Sequence, residues 1–546
     1  MTAAPLDKRL YFGDNLDIVR EHVEDESVDL IYLDPPFNSD ADYNVFFTSP
    51  KGREKSHAQI EAFKDTWHWG DESEREFHEI LRGKNTRVGE MMVALRSYLG
   101  ENDTMAYLVM MTNRLLELHR VLKPTGSLYL HCDPTASHYL KVVLDGVFGG
   151  RVFANEIIWR RSTGKSLMFR RLPTNHDVLF LYRKSDSCVW NEKAAFQEYD
   201  EVALPVKTAA KYKYRDENGR LYRLDNLVNP NTKRPNLTYE FLGVTRVWRW
   251  TKDRMQTAYE AGLVVQTRPG TVPQLKRYLD EQRGVALSDV WTDIPPLNSQ
   301  ARERLGYPTQ KPLALLERII KLSSNEGDVI LDPFCGCGTA VHAAQKLGRG
   351  WIGIDITHLA ISLIEKRLKD AFPGIELEVQ GTPKDLSGAR DLALRDKYQF
   401  QWWACSLVDA QPYQGHRKGA DGGIDGLIWF ADDKKAAKKI VVGVKGGDTV
   451  SVAMVRDLVH VVERENAAIG LFVTLAIPTR PMLTEAARAG FYECATNGKS
   501  YRKIQILTVS GLLDGTECAD FPDLSGGITF RKAKREEGTA GQKALL

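Results

Sequence analysis

Short apolar runs alternate with amphipathic stretches through the first 180 or so residues. Leu10-Tyr11-Phe12 is a brief apolar run broken by Gly13-Asp14-Asn15, and a polar helical stretch follows to about Asp25. Val28–Leu33 is a β-rich run that stops at Asp34-Pro35-Pro36-Phe37, because proline cannot donate to a strand ladder. Asp34 is therefore expected at the carboxyl end of a strand, where open α/β sheets hold ligands. Residues 38–100 are polar and rich in aromatics, without clear sheet periodicity, and read as an insertion beside that site. Apolar spacing then predicts a helix from about Thr104 to Leu122. A turn at Pro124-Thr125-Gly126, a strand over Ser127–His131, a helix near 136–148, and strands at Glu156–Arg160 and Val178–Tyr182 follow.

The alternation resumes at Tyr307. Pro312 suits the first turn of a helix carrying Leu315, Leu316, Ile319 and Ile320. Val329–Leu331 reads as a strand, followed by Asp332-Pro333-Phe334-Cys335-Gly336-Cys337-Gly338-Thr339 and a helix to about Leu347. Trp351–Ile354 is a strand ending in Asp355, and a further helix ends near Lys369. Strands alternating with helices predict an α/β fold with a doubly wound, Rossmann-like parallel sheet. Pro373 to about Gly388 reads as a boundary. Beyond it lie a Trp-containing helix, a Gly-rich turn, strands at Leu427–Phe430 and Lys439–Val444, a helix over 452–466 and a strand at Ile469–Thr474. The expected organisation is a first domain over 1–385, a smaller α/β domain over 386–530, and a charged tail over 531–546 that is expected to be mobile.

Composition narrows the function. The 546 residues are 43% hydrophobic and 27% charged, as in ordinary globular chains, and long enough for two or more domains. Lys plus Arg number 74 against 72 Asp plus Glu, so any nucleic-acid surface must be local. One candidate lies inside the first domain, at about 190–290. Between Pro205 and Met255 there are 12 Lys or Arg and 5 Asp or Glu, an excess of 12 − 5 = +7. Seven aromatics are interleaved: Tyr212, Tyr214, Tyr222, Tyr239, Phe241, Trp248 and Trp250. That mixture fits a basic, loop-rich module for nucleic acid, or else a solvated insertion with its own aromatic core. The seven Cys lack paired metal-ligand spacing, so neither a zinc site nor a disulfide framework is expected. No membrane span or signal peptide is expected, and the cytoplasm is the expected location.

Two motifs carry chemistry. A Gly-x-Gly turn between strand and helix lets the backbone approach a ligand, and the helix N-terminus favours an anionic group such as a carboxylate. The acidic Asp355 ends the following strand, where a carboxylate can accept hydrogen bonds from a ribose. The string lacks the GK[ST] of a phosphate-cradling loop, so triphosphate hydrolysis is not indicated. In Asp34-Pro35-Pro36-Phe37, an amine's two hydrogens find two acceptors, the Asp34 carboxylate and the Pro35 carbonyl. Those bonds direct the nitrogen lone pair at an electrophile, and Phe37 can stack on a planar base.

With DPPF at 34–37, YPTQKP at 307–312 and DPFCGCGT at 332–339, the chain resembles an amino-methylating DNA methyltransferase that uses S-adenosylmethionine (AdoMet). The catalytic motif precedes the AdoMet motif, as in the β group of these enzymes, whose target-recognition region lies between them. The resemblance covers roughly residues 8–375. It implies that Asp34 and Pro35, within the rigid Asp34-Pro35-Pro36-Phe37 turn, orient the target amine while Phe37 stacks on the extruded base. It implies that Asp332, Pro333, Phe334, Gly336, Gly338 and Thr339 line the AdoMet pocket, with Asp355 on the ribose. Thr309, Gln310 and Lys311 are expected near the methionine end. Asp14 either reaches the cofactor or caps the helix after it. A DPP core favours adenine-N6 over cytosine-N4 by family habit. The implied substrate is double-stranded DNA, the implied setting restriction-modification or defence, and the expected assembly a homodimer, with a restriction or defence subunit as a further partner.

GADGGIDG at 419–426 and VVGVKGG at 441–447 resemble the nuclease-like fold of Mrr-type restriction domains, over roughly 395–510. There an Asp and a (Glu/Gln)-x-Lys share a metal and a water. The matching residues are Asp425 and Lys445, but Gly443 stands where the Glu or Gln belongs. Mg2+ is implied only if this domain is an active nuclease. Asp421 or a side chain near Gln401 is then needed to replace the missing oxygen donor. The alternatives are a fused methylase-nuclease and a DNA-binding subunit of a restriction complex.

Overall fold

Six consecutive residues, Val28 to Leu33, are buried, as in a strand in the middle of a sheet, with Asp29 accepting from Lys123 Nζ at 2.7 Å and the Val329 N–H at 2.9 Å. This strand is the centre of a nine-stranded sheet. Its order is Val290–Trp291, Phe153–Arg160, His176–Arg183, Leu122–Cys132, Val28–Leu33, Val329–Asp332, Gly350–Asp355, Lys8–Phe12 and Glu378–Gln380. The structure, a computed structural model, describes residues 7–36, 42–46, 59–64, 68–162, 172–199, 201, 204–298, 301, 303–305, 307, 309–413, 423–431, 437–522 and 535–536.

From Val28–Leu33 the chain winds outward through Leu122–Cys132. From Val329–Asp332 it winds the other way through Gly350–Asp355. The two central strands are parallel neighbours, with Leu30 opposite Ile330 and Ile31 opposite Leu331. The crevice at their carboxyl ends is thus the topological switch point, the place where such sheets bind ligands.

The sheet is mixed, not wholly parallel as its alternation suggested. His176–Arg183 runs antiparallel to both neighbours. An antiparallel neighbour can follow without a crossover helix, and apolar alternation alone does not fix a strand's direction. The 38–100 stretch also holds more structure than expected. A hairpin pairs Asp42–Phe46 with Gln59–Lys64, and helices Asp71–Arg82 and Thr86–Leu99 bury Phe77, Ile80, Val88 and Met92 against the main core. Each helix buries only a few of its residues, so no clean apolar stripe reveals it. Helix Asp103–Val121 crosses the same core and is buried along most of its length.

Residues Asn191–Ser288 form a compact unit of their own. A small antiparallel sheet orders Val264–Val265, Gln274–Tyr278, Leu221–Asn226 and Tyr214–Arg215. Its core holds Trp248, Phe241, Leu227, Met255, Val264 and Leu275. Trp248 is fully buried and donates Nε1 to the Tyr239 carbonyl at 2.8 Å. Several of the basic side chains are paired within the unit, Arg220 with Asp280 at 2.8 Å and Arg277 with Asp225 among them. Much of the aromatic content is therefore core.

The C-terminal sheet orders Gln411–Pro412, Gly426–Ala431, Ala437–Lys445, Ile469–Thr474 and Ile504–Thr508. Residues of helices Leu386–Arg395 and Lys397–Ser406 pack with one face, and residues of Val452–Arg464 and Arg480–Arg488 with the other. Glu378–Gln380 joins the first sheet beside Lys8–Phe12, so that sheet extends into the stretch expected to be a boundary. Within the tail expected to be mobile, Glu536 is held. Its N–H donates to the Ala371 carbonyl at 3.0 Å and its carboxylate meets His342 and Lys346 at 3.2 and 3.1 Å. No helix among the described residues is long and apolar enough to cross a membrane.

Trp248→Ala should remove about 3–5 kcal/mol from the 191–288 unit. Limited trypsin digestion should then cut within 191–288 well before the rest of the chain.

Candidate active site

Asp34 follows the last residue of Val28–Leu33, and Asp332 ends the neighbouring strand. Asp355 ends the next strand and lies opposite Phe12. Three acidic residues and Asp14 therefore stand along the carboxyl edge of four adjacent strands. Burial pushes Asp332 well above the usual carboxylate range, and the negative charges of Asp34 and Asp355 push the same way. Asp355 is pushed up to about 6, chiefly by burial. Such a cluster favours a cation and hydroxyl donors between its members.

Lys311 supplies one positive charge. Its ammonium pairs with Asp34 Oδ2, 277 residues away in sequence, and both side chains are largely shielded from solvent. Lys311 sits just before helix Leu313–Ser323, capped by Pro312, one position earlier than expected for that proline. The other oxygen, Asp34 Oδ1, is buried and has no hydrogen-bond partner among the described residues. Pro35 is buried and Pro36 half-buried beside it. Phe37 lies outside the described residues.

The DPFCGCGT loop turns sharply. Cys335 N–H donates to Ile354 O at 3.0 Å, Gly338 N–H donates to Cys335 O at 2.8 Å, and Phe334 N–H donates to Asp332 Oδ1 at 3.1 Å. Gly336 and Gly338 adopt φ of +52° and +73°, which favour glycine. A Cβ on Gly338 would lie 2.7 Å from Ile364, and one on Gly336 would lie 3.3 Å from the Tyr307 ring. Asp355 Oδ2 accepts the Gly336 N–H at 2.9 Å, while Oδ1 accepts Thr357 N–H and Oγ1, both at 2.9 Å. That carboxylate thus braces the loop as well as facing the crevice. Burial pushes the Cys335 and Cys337 thiols up, so neither is a ready thiolate. The glycine cradle, the acidic edge and the nearby ammonium together suit a ligand carrying a sulfonium, a ribose and a carboxylate.

Other expected residues have mainly scaffolding contacts. Asp14 Oδ1 accepts Leu16 N–H at 2.7 Å as a helix cap, and Asp14 also pairs with Arg114 at 2.8 Å. Gln310 folds its own loop, accepting from Leu305 N–H at 2.8 Å and donating to Glu303 O at 2.6 Å. Thr309 is half-buried at the same turn. Thr339 Oγ1 and the Cys337 carbonyl accept from the buried Arg367 at 3.0 and 2.9 Å.

Sequence reasoning missed three supports. Asn15 donates to Pro333 O at 2.7 Å and accepts from Arg114 Nε at 2.7 Å, tying the first helix to the loop. Tyr32, two residues before Asp34, meets His131 Nδ1 at 2.9 Å, and His131 Nε2 meets Asp177 at 3.1 Å across three strands. Arg367 buttresses the loop from below. The only available signals were polar residues inside apolar runs, such as His131 in Ser127-Leu128-Tyr129-Leu130-His131.

In the C-terminal domain Asp425 Oδ2 accepts the Val444 N–H at 2.6 Å and Lys445 ends the adjoining strand. Gly443 faces Leu458, with an added Cβ 3.6 Å away. Asp421 lies outside the described residues, and Gln401 is half-buried on Lys397–Ser406. No group of three His, Cys, Asp or Glu among the described residues is set to hold a metal. The described residues therefore do not fit Mg2+ there.

Comparison with known proteins places both parts of the chain in described families. Residues 28–366 match the family model described as DNA methylase, and residues 394–493 match that described as restriction endonuclease. The chain is 28% identical over 266 residues to the type II methyltransferase M.EcaI of Enterobacter cloacae, covering 48% of this chain and 57% of that protein. It is 24% identical over 350 residues to the Mod subunit of the type III restriction-modification enzyme StyLTI of Salmonella typhimurium, covering 61% of this chain and 49% of that one. The chain thus spans about half the length of these curated relatives. The crystal structure of the M1.HpyAVI–SAM complex aligns with 66% of this chain and 99% of that one, at 15% identity and a TM-score of 0.29. The match over residues 28–366 takes in more than half of the chain, which belongs to the DNA methylase family.

Proposed function

We propose that this chain transfers a methyl group from S-adenosylmethionine to the N6 amine of an adenine flipped out of double-stranded DNA, as the modification activity of a restriction-modification or defence system. The observation that carries the reading is the state of Asp34. One oxygen is held by Lys311, while Oδ1 is buried and lacks a donor among the described residues. Leaving such an acceptor empty costs about 1–3 kcal/mol, which an incoming N–H recovers.

The chemistry follows from that acceptor. An exocyclic amine is a weak nucleophile because its lone pair is delocalised into the ring. One N–H donates to Asp34 Oδ1 and the other to the Pro35 carbonyl, which twists the nitrogen toward tetrahedral geometry and localises the pair. Lys311 holds the carboxylate in orientation. Asp332 and Asp355 hold the donor's polar groups, and Phe37 stacks on the base. When bound, S-adenosylmethionine supplies a methyl activated by its sulfonium for direct displacement. Positioning of this kind lowers a barrier by up to ~7–11 kcal/mol, against a few kcal/mol for base flipping. No cysteine nucleophile is needed, in keeping with the buried thiols at 335 and 337.

Cytosine-N4 presents the same kind of amine, and the DNA methylase family model does not separate the two. The DPP core is the ground for preferring adenine. For the C-terminal domain, Gly443 in the carboxylate position favours DNA binding or docking over cleavage.

Asp34→Ala should lower methylation by about 100-fold or more while AdoMet binding persists. Mass spectrometry of DNA treated with the wild-type chain should find N6-methyladenine. N4-methylcytosine in its place would redirect the substrate assignment, and full activity in the variant would end the mechanism.

The raised carboxylates set two further expectations. A folded-state pKa above the unfolded value means that ionisation costs stability above that pKa, and that protonation relieves it as pH falls. Asp332→Asn should therefore raise the melting temperature of the ligand-free chain at neutral pH while weakening AdoMet binding, as read by calorimetry. AdoMet affinity of the wild type should fall as pH drops through about 6, where Asp355 takes up a proton that the ligand must displace.

A further inference from the structure

The donor loop is supported from a direction that a methylase domain alone does not supply. Leu305, Tyr307, Cys337, Leu359 and Leu363 form a small buried cluster beneath the loop. Two half-buried aromatics of the C-terminal domain pack against it: Trp402 on helix Lys397–Ser406, and Tyr413 just after Gln411–Pro412. Cys337 belongs to the Gly-x-Gly turn itself, and the Tyr307 ring is the neighbour that a Cβ on Gly336 would meet at 3.3 Å. Tyr413 also packs against the C-terminal domain's own core beside Ile424 and Leu427, and its N–H donates to the Asp425 carbonyl at 2.8 Å. One side chain thus touches the base of the donor loop and the core that carries the nuclease-type aspartate.

A polar tie reaches the same loop independently. Glu536, beyond the C-terminal domain, meets His342 at 3.2 Å. His342 Nδ1 accepts from Arg367 Nε at 3.2 Å, and Arg367 donates to the Cys337 carbonyl at 2.9 Å. The loop backbone is therefore fixed through apolar packing on one side and a charge-assisted chain on the other. Both run to residues downstream of the methylase core.

We propose that Trp402 and Tyr413 are positioning residues of the donor-binding loop, so that methyl-donor occupancy and seating of the C-terminal domain are energetically coupled. The proposal rests on the reading that residues 332–339 bind AdoMet. Packing that holds Tyr307 and Cys337 in place pre-forms the left-handed turn at Gly336 and Gly338. Loss of that packing leaves donor binding to order the turn itself. Linkage makes the effect reciprocal: donor binding must protect the docked face of the C-terminal domain.

The test uses the full chain. Isothermal titration with AdoMet should show about tenfold weaker binding for Trp402→Ala, with Trp402→Phe restored to within about threefold of wild type. Leu394→Ala, at a position exposed on the neighbouring helix, should bind as wild type. Hydrogen exchange of the unmutated chain, with and without AdoMet, gives a readout that needs no variant. Protection on binding should extend from 332–339 into 397–406 and 411–413. Wild-type affinity in Trp402→Ala, or donor-induced protection that stops short of 397–406, would overturn the coupling. A wild-type chain that binds no AdoMet would sink the donor-loop reading on which it stands.

Discussion

A carboxylate and an ammonium 277 residues apart meet at one point on the sheet edge, and most of the architecture is a condition for that meeting. Asp34 reaches it because two prolines end a fully buried strand. Lys311 reaches it because the chain, after the 191–288 unit, re-enters the sheet through a helix that starts at Leu313. The strand that ends before Asp34, Val28–Leu33, and the strand that comes after Lys311, Val329–Asp332, are direct neighbours. Removing two charges from water seldom adds stability in itself. The value of the pair lies in what it leaves over: one oxygen committed, the other buried with no hydrogen-bond partner among the described residues.

The same edge carries a cost. Asp332 and Asp355 are buried close enough for their charges to disfavour one another. The backbone is held in left-handed turns at two glycines, one pressed against Ile364 and the other against Tyr307. Glycine takes those turns without strain, so the cost lies in the buried carboxylates, which a cationic, hydroxyl-bearing ligand would offset. The supports beneath are correspondingly rigid: Asn15 and Arg114 on one side of the loop, Arg367 on the other.

What the sequence made legible was local. Val28–Leu33 declares itself by five apolar or aromatic positions around Asp29 and the prolines after it, and the Gly-x-Gly turn by its composition. The strand His176–Arg183 was equally visible, but its direction was not, since direction depends on how the chain crosses the sheet. Helices Asp71–Arg82 and Thr86–Leu99 were hidden because each buries only a few residues against a core formed elsewhere. In the 191–288 unit, basic and aromatic residues left a nucleic-acid surface and a separate aromatic core both open, and Trp248 and Phe241 fill an interior. Within the site, Gln310 stood out by motif and folds its own loop, while Asp14, open between a cofactor contact and a helix cap, caps the helix and pairs with Arg114. The partner of Lys311 could not be read at all, because pairing across 277 residues is a property of topology.

Topology also explains why the chain's two halves resist separate treatment. In a simple fusion, each domain would bury its own apolar surface and meet the other through solvent. Here Tyr413 serves two cores, one under the donor loop and one beneath the strands leading to Asp425 and Lys445. A nuclease-type fold that has glycine in place of a metal-binding side chain is under little constraint to keep cleavage geometry. The packing of Trp402 and Tyr413 against the neighbouring loop is a separate constraint. The retained order of Gly426–Ala431 and Ala437–Lys445 then follows from the packing they transmit: altering that sheet would move Tyr413, and moving Tyr413 would loosen the turn on which the Asp332 edge depends.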